Sequence, residues 1–420
     1  MKKFKIAILF GFFATTLSIL FSNCSDSFAP ISMSGSSGAS SLNLNLAQSN
    51  VIAVTTGCGY VNEPCVTVTI CQPGTNTCQT IPNVLLDTGS YGLRLFNQVS
   101  LDNFQTVSNL LSLTTEKDPN NPANSITECV SYADSSSDVG PVARADVSLG
   151  SETASSVPIQ IINSSFAQMG SPCDSPDASP LATGFNGILG VGLFTADCGD
   201  GCTASQSNPQ NGMYFSCVGD GSSCTTGMTV ELNQQVTNPV AYLPVDNNGV
   251  ILALPSVPDA GAGSVNGYLV FGIGTQSNNI PLGANIFQAD GYGNFLTTYN
   301  GVTSTQSFID SGSNALYFND SSITQCATDT GFYCPASEIS GLVATQQGVS
   351  GGTALAVGFN VANGESELAQ SNPNMTFSNL AGTFGSADFD WGLPFFYGRT
   401  VFVGMDTGTS SLGAGPLWAF

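Results

Sequence analysis

The chain alternates short apolar runs rich in Val, Ile, Leu and Phe with clusters of Gly, Asn, Asp, Ser and Pro. Runs this short, bounded by turn residues, are typical of β-strands. They predict strands at residues 66–70, 81–86, 93–96, 145–149, 157–162, 268–273, 307–309 and 395–405. Strands do not alternate with helical patterns, so a parallel nucleotide-binding sheet is not expected.

Length and composition agree with this interpretation. A chain of 420 residues, 42% of them apolar, is long enough to build two lobes with a buried core. Only 9% of the residues are charged, whereas Gly, Ser, Thr and Asn are abundant. This composition favours an all-β protein with many turns.

The N-terminus has the pattern of an export signal. Three lysines precede an apolar run, and polar residues follow up to Cys24. We predict a signal peptide at residues 1–23; a membrane-spanning helix is the alternative, although the run is short for a bilayer. The stretch 21–24 resembles a relaxed bacterial lipobox, so Cys24 is a candidate lipidation site, with a soluble secreted product as the alternative. Residues 24–50 are then a flexible tether or a disordered remnant.

The charge balance excludes several partners. Without residues 1–23, four cations remain against 29 carboxylates. Such a surface repels nucleic acid and anionic membranes. Few cations also suit a protein that works in acid, although the pattern fits any acidic secreted protein.

Histidine and cysteine usage narrows the chemistry. The sequence has no His, which excludes a Ser-His-Asp or Cys-His nucleophile and His-ligated metal sites. Twelve Cys follow Cys24. In an exported chain they indicate disulfides whose pairing the sequence does not fix, and a metal cluster is the less favoured alternative. Close neighbours are Cys58 and Cys65, Cys71 and Cys78, Cys198 and Cys202, Cys217 and Cys224, and Cys326 and Cys334.

Three stretches share an Asp-Thr/Ser-Gly-Ser/Thr pattern: "LLDTGSYGL" with Asp87, "FIDSGSNAL" with Asp310 and "MDTGTSSL" with Asp406. Each pattern alone is also compatible with a plain turn. A pair of carboxylates that activates water must share one proton, so each must lie at the end of a rigid strand. The Gly two residues on permits a tight loop around the carboxylate.

The surroundings select two of the three. Apolar runs suited to buried strands precede Asp87 and Asp310. Enough sequence follows each of these two to complete a β lobe, whereas the sequence ends 14 residues after Asp406. We therefore predict an N-terminal lobe at residues 51–235 with Asp87 and a C-terminal lobe at residues 236–420 with Asp310. Asp406 is predicted to open a hairpin turn.

From about residue 50 onwards the sequence resembles the pepsin-like aspartic proteases. Residues 66–96 look like that family's opening hairpin and first active-site loop, and "SYADSSSDVG" is similar to its flap hairpin. "FNGILGVG" and "DFDWGLPFFYGRTVFVGMDTG" resemble its two apolar-apolar-Gly segments. In that comparison Trp391, Leu393, Arg399 and Asp406 fall on family-typical residues.

The resemblance implies a two-lobed, mostly antiparallel β fold and an endopeptidase acting in the cleft between the lobes. Asp87 and Asp310 would be catalytic, and Tyr132 would be the flap tyrosine that covers the substrate. Six residues would support the catalytic loops: Thr88, Gly89, Ser90, Ser311, Gly312 and Ser313. Thr88 and Ser311 would link the loops across the lobe interface. Ser90 and Ser313 would hydrogen-bond the outer carboxylate oxygens. No metal or cofactor is implied.

The sequence departs from the family pattern in three places. Pro394 stands at the usual Gly of the second apolar-apolar-Gly segment and is expected to reshape the support beneath Asp310. Arg94 stands at a usual Trp and is expected at the surface or in the cleft, without a chemical role. Ala133 and Asp134 follow Tyr132, where the family has Gly.

The expected function is an exported aspartic endopeptidase, active in acid and monomeric, either anchored to the cell envelope through Cys24 or secreted. Its partner is a peptide or protein substrate. A catalytically silent pepsin-like surface lipoprotein that binds a peptide or protein is the alternative. A structural lipoprotein of the envelope is a third possibility.

Overall fold

The computed structural model describes residues 42, 44–101, 106–169, 173, 176–203, 213–225, 227–369, 371–384 and 388–420. The predicted signal peptide, Cys24 and most of the predicted tether lie outside these residues. None of the described helices is long and apolar enough to span a membrane.

The described residues form 27 strands. Those of the first part of the chain are β1 (Val51–Thr56), β2 (Pro64–Cys71), β3 (Cys78–Asp87), β4 (Tyr91–Phe96), β5 (Gln98–Leu101), β6 (Thr106–Asn109), β7 (Lys117–Asp118), β8 (Asn121–Ser131), β9 (Ser137–Leu149), β10 (Glu152–Ile162), β11 (Gly187–Val191), β12 (Tyr214–Cys217) and β13 (Cys224–Thr225). Those of the second part are β14 (Gly249–Leu254), β15 (Asn266–Phe271), β16 (Ile286–Gln288), β17 (Phe295–Tyr299), β18 (Val302–Ile309), β19 (Leu316–Tyr317), β20 (Ile339–Gly348), β21 (Gly351–Val361), β22 (Ala381–Gly382), β23 (Phe389–Trp391), β24 (Arg399–Gly404), β25 (Thr409–Ser410), β26 (Gly413–Ala414) and β27 (Leu417–Ala419).

Helices are few and short. The α-helices within the described residues are α1 (Pro180–Thr183) and α2 (Gly364–Glu367). Single 3₁₀ turns lie at Ser164–Met169, Gly199–Cys202, Leu232–Gln234, Pro239–Tyr242 and Leu393–Phe396.

One large sheet joins the two parts of the chain. Its sixteen strands run β13-β12-β8-β9-β10-β4-β11-β3-β2-β1-β15-β14-β24-β27-β16, with β7 paired to β8. The join lies at β1, which pairs antiparallel with both β2 and β15. A second sheet, β21-β20-β17-β18-β23-β19-β22, belongs wholly to the second part. The predicted all-β, two-lobed fold is confirmed.

The strands carrying the candidate aspartates are fully buried at their ends. Val84, Leu85 and Leu86 of β3 and Ile309 of β18 have no exposed surface. Strand β11 lies between β3 and β4, parallel to β3 and antiparallel to β4. Strand β23 lies in the same way between β18 and β19. Because each aspartate leaves a strand held on both sides, its position is fixed by the sheet.

Six disulfides link the described cysteines. Five join the close neighbours named in the sequence, and the sixth joins Cys129 to Cys173. Cys326 and Cys334 also lie near Glu365 as a potential metal-ligand group. Their sulfurs are bonded to each other, so this group offers no thiolate to a metal.

Two sequence predictions need adjustment. The folded region begins before Val51, because Leu44 is 2% exposed and packs with β14 and β15 side chains. The predicted strand at 395–405 is a 3₁₀ turn followed by β24, since Gly398 between them has a φ of 74°. Neither change moves a candidate aspartate.

Candidate active site

The two aspartate loops are built alike. Asp87 Oδ1 accepts a hydrogen bond from the Gly89 amide at 2.7 Å, and Oδ2 accepts one from the Ser90 hydroxyl at 2.6 Å. In the second loop, Asp310 Oδ1 and Oδ2 accept from the Gly312 amide and the Ser313 hydroxyl, both at 2.7 Å. The aspartates are 3% and 7% exposed. Each carboxylate therefore has a fixed orientation, with one outer oxygen held by a serine.

Reciprocal hydrogen bonds tie the loops together. The Thr88 hydroxyl donates to Ile309 O at 3.0 Å and accepts from the Ser311 amide at 2.9 Å. The Ser311 hydroxyl donates to Leu86 O at 2.7 Å and accepts from the Thr88 amide at 3.1 Å. Both side chains are buried, so the four bonds are shielded from water. They hold together two loops that are more than 200 residues apart in sequence.

The two loop glycines allow the carboxylates to approach each other. A Cβ at Gly89 would lie 2.5 Å from the carboxyl carbon of Asp310. A Cβ at Gly312 would lie 2.7 Å from Asp87 Oδ1 and 3.1 Å from Asp310 Oδ1. The inner oxygens, Oδ1 of Asp87 and Oδ1 of Asp310, therefore both lie next to Gly312, where there is no room for a side chain. The structure brings Asp87 and Asp310 into one pair.

A glycine also supports each loop from below. In the β11–β3 ladder Gly190 pairs with Asp87, and in the β18–β23 ladder Ile309 pairs with Trp391, which puts Gly392 opposite Asp310. A Cβ at Gly392 would lie 2.1 Å from Ala315 O, and one at Gly190 would lie 2.7 Å from the Tyr91 amide nitrogen. The two glycines are therefore structural counterparts.

This register corrects the expectation for Pro394. Gly392, rather than Pro394, occupies the place beneath the second loop, and the Leu393 amide donates to Ser313 O at 2.7 Å. Pro394 belongs to the 3₁₀ turn that follows. The support beneath Asp310 consequently retains its glycine.

Asp406 lies in a different environment. It is exposed, and its Oδ1 accepts hydrogen bonds from the Thr195 amide and hydroxyl at 3.1 and 3.0 Å. It precedes the small hairpin of β25 and β26. The structure does not bring Asp406 into the carboxylate pair.

The pair opens into a cavity of about 370 Å³ lined by both parts of the chain. Strands β8 and β9 form a hairpin over it, with Tyr132 at the start of the turn. The Tyr132 hydroxyl donates to Asp138 Oδ2 at 2.8 Å. Burial, together with the Asp138 charge, raises the pKa of Tyr132 well above its usual value, so the phenol stays neutral and can donate.

Arg94 lines this cavity, which is one of its two expected locations, but it is buried rather than at the surface. Its Nη2 donates to Glu128 Oε1 at 2.7 Å and Asp197 Oδ2 at 3.0 Å, and its Nη1 donates to Tyr91 O at 2.6 Å. Tyr214 donates to the other Asp197 oxygen at 2.7 Å. Burial raises the pKa of Glu128 against the opposing charge of Arg94. We call Arg94, Glu128, Asp197 and Tyr214 the Arg94 cluster.

Several cavity residues have no recognisable signal in the sequence. Tyr292 is 86% exposed at the cavity, in the turn that precedes β17. Trp418 lines the same cavity and donates from Nε1 to Gly293 O at 3.1 Å. These residues lie outside any motif, and only the fold brings them to the pair.

Comparison with protein-family models assigns the chain to a family. Residues 45–420 match the model of a family described as "Protein of unknown function (DUF3443)". The chain belongs to the DUF3443 family. Among solved structures, the DUF3443 chain is similar to an aspartic proteinase from Irpex lacteus, with 16% sequence identity and a TM-score of 0.46. The match covers 88% of this chain and 96% of that one. Comparison with curated proteins gives no match.

Proposed function

We propose that the DUF3443 chain is an aspartic endopeptidase that hydrolyses peptide bonds in acid with a water molecule activated by Asp87 and Asp310. The main support is the pairing of two buried carboxylates from equivalent loops, linked by the reciprocal Thr88 and Ser311 bonds. In the proposed mechanism the pair holds one proton between its two carboxyl groups.

The shared proton gives the two groups different roles. The ionised carboxylate removes a proton from water as the water attacks the scissile carbonyl carbon. The carboxylic acid donates a hydrogen bond to the carbonyl oxygen, where negative charge develops. Gly89 and Gly312 leave room for the water between the carboxyl groups. Ser90 and Ser313 keep the outer oxygens in place as the proton changes sides.

We propose that the β8–β9 hairpin acts as a flap over an extended peptide. Tyr132, held by Asp138, would cover the scissile bond and exclude water from the cavity. Asp134 in the same turn accepts hydrogen bonds from the Ser136 amide and hydroxyl. These bonds stiffen a turn that lacks the glycine found after the flap tyrosine in pepsin-like proteases.

Export and attachment are part of the proposal. The six disulfides among the described residues favour an oxidising compartment. The N-terminal pattern favours cleavage before Cys24 and lipid attachment to it, or secretion. We propose that the protein acts as a monomer. A peptide or protein substrate, rather than nucleic acid, fits the formal charge of −22.

Digestion of an unfolded protein substrate between about pH 3 and pH 7 tests the proposal. The wild type should cleave, and Asp87→Asn and Asp310→Asn should each abolish cleavage. Asp406→Asn is the matched control: it removes an equal charge from a third copy of the motif and should leave cleavage largely intact.

The binding-only alternative gives a different result. A protein that cleaves nothing but is stabilised against heat by a statine-type transition-state mimic would be a silent peptide binder. Absence of both cleavage and stabilisation would contradict an organised carboxylate pair.

A further inference from the structure

A second cavity, lined wholly by residues of the second part of the chain, shares no lining residue with the cavity at the carboxylate pair. Its volume is about 260 Å³. Aromatic and aliphatic side chains form most of its wall, including Leu316, Phe359, Trp391 and Phe395. Gly341 and Gly358, both exposed, also line it, so the cavity reaches the protein surface.

Arg399 lies in this cavity and is partly buried. Its guanidinium stacks on the Phe395 ring at 4.6 Å, and Nη1 donates to Phe395 O. In the part of the chain that the structure describes, Nε and Nη2 make no hydrogen bond to a protein group. Three donor hydrogens of a rigid fork are therefore left for a ligand.

Among the described residues, no acidic side chain forms an ion pair with Arg399. The arginine ion pairs among the described residues are those of Arg94 and Arg144. This is unusual in a chain with 29 acidic residues against seven Lys and Arg. Burial lowers the pKa of Arg399 to about 10, so it stays charged at physiological pH. A partly buried cation without an ion-pair partner among the described residues favours an anion beside it.

A second polar group shares the cavity with Arg399. The Ser378 hydroxyl makes no hydrogen bond to any described residue. The other polar side chains at the wall are already engaged: Asn360 donates to Glu338 at 3.1 Å, and Tyr397 donates to Asn62 at 3.0 Å. The donors left for a ligand thus come from Arg399 and Ser378.

We propose that this cavity is a binding site for a small monocarboxylate with an apolar body, held by Arg399 and Ser378. The planar guanidinium fork matches the two oxygens of a carboxylate. The aromatic wall matches an apolar group attached to it. The cavity volume of about 260 Å³ is below the range of roughly 300–1,000 Å³ that is typical of pockets for drug-sized molecules, so the ligand is small. The site is independent of the proposed peptidase activity.

Isothermal titration of the purified full chain with phenylacetate and with its neutral analogue phenylacetamide tests the site. The two probes have the same ring and differ in charge. Phenylacetate should bind at least about tenfold more tightly, because only the carboxylate gains charge-assisted bonds from Arg399. Equal affinity for the two probes, or no binding of phenylacetate, would overturn the proposal.

Variants locate the binding. Arg399→Gln should lose the preference for the carboxylate, and Arg399→Lys should retain part of it, because a charge remains without the fork. Lys117→Gln is the matched control, since it removes one exposed cation elsewhere and should bind as the wild type does. A preference that survives in folded Arg399→Gln would contradict the site.

Catalytic variants separate this site from the peptidase proposal. Asp87→Asn and Asp310→Asn should bind phenylacetate unchanged, whether or not the wild type cleaves peptides. If these substitutions abolish binding, the ligand lies in the cleft and the second cavity is not the site.

Discussion

The two aspartate loops have nearly the same internal geometry but very different surroundings. In both loops a glycine amide and a serine hydroxyl hold the aspartate, and a glycine in or directly after a neighbouring strand lies beneath it. Beside the first loop lies the charged Arg94 cluster. Beside the second lies an aromatic cluster in which Phe389 stacks on Trp391 at 4.3 Å and on Phe318 at 5.1 Å.

The ladders identify the residue of the second part that occupies the position equivalent to Arg94. Arg94 pairs with Ile188 two residues before Gly190, and Tyr317 pairs with Asp390 two residues before Gly392. Arg94 and Tyr317 are therefore counterparts. The comparison teaches that short-range backbone bonds set the loop geometry, while quite different packing can support it.

Removing the glycine beneath the second loop should have the largest effect. Gly392→Ala places a Cβ against backbone atoms of Ala315 and Ser313, which cannot move without displacing the loop. We expect a loss of at least about 4 kcal/mol in the free energy of unfolding, measured by chemical denaturation. Pro394→Gly, the control, should cost about 1 kcal/mol. Similar losses would contradict the register.

Stability should rise in acid through one buried glutamate in each part of the chain. Burial raises the pKa of Glu63 and of Glu367 from 4.5 to about 8. The stability that their protonated forms contribute is fully present below about pH 4.5 and is lost as pH rises to about 8. For Glu63 the loss is on the order of 5 kcal/mol.

Unfolding free energies between about pH 4.5 and pH 8 check this dependence. Glu63→Gln should flatten the profile, because glutamine mimics the protonated acid at every pH. Glu367→Gln should flatten it independently. A protein that is more stable at the alkaline end would contradict the burial of these groups as acids.

Replacing the counterparts Arg94 and Tyr317 should give unequal losses. Arg94→Met leaves Glu128 and Asp197 buried without their cation, which should cost about 3–4 kcal/mol. Tyr317→Phe removes one hydrogen bond, to Asn314 Oδ1, and should cost about 1 kcal/mol. Arg144→Met, at a guanidinium 27% exposed, should cost about 1 kcal/mol or less. Equal losses at Arg94 and Tyr317 would remove the contrast between the two surroundings.

The smallest effect is expected at the bonds that link the loops. Thr88→Ser gives the first loop the side chain of its counterpart Ser311 and retains all four hydrogen bonds. The loss of a buried methyl group should cost about 1 kcal/mol, with cleavage largely retained. Thr88→Val, which removes the hydroxyl, should lose more stability and more activity. Equal unfolding free energies and equal cleavage rates for the two variants would contradict a role of the Thr88 hydroxyl in linking the loops.

The strands and the aspartate loops could be predicted from sequence because their signals are local. The apolar run 84–86 and the turn after Asp87 lie within a few residues of each other. Asp406 was likewise predicted to open a hairpin turn rather than to join the pair. The strand and loop signals depend on residues that are close together in the sequence.

The remaining features depend on contacts between distant parts of the chain. Arg94 meets Glu128 and Asp197, which are 34 and 103 residues away, so its burial had no local signal. The role of Gly392 was missed because the resemblance matched residues by their spacing along the sequence and placed Pro394 beneath Asp310. Strand register decides which residue lies there, and it places Gly392. The two Arg399 nitrogens that make no hydrogen bond to a described residue likewise become evident only when the surroundings of Arg399 are known.

The most direct test of the central claim is a comparison of kcat/KM for the wild type, Asp87→Asn, Asp310→Asn and the double variant. If the two carboxyl groups act as one unit, each single substitution should reduce kcat/KM by about 10³-fold or more. The double variant should then be no worse than either single variant. Substantial activity in one single variant, or losses that multiply in the double variant, would contradict a shared pair.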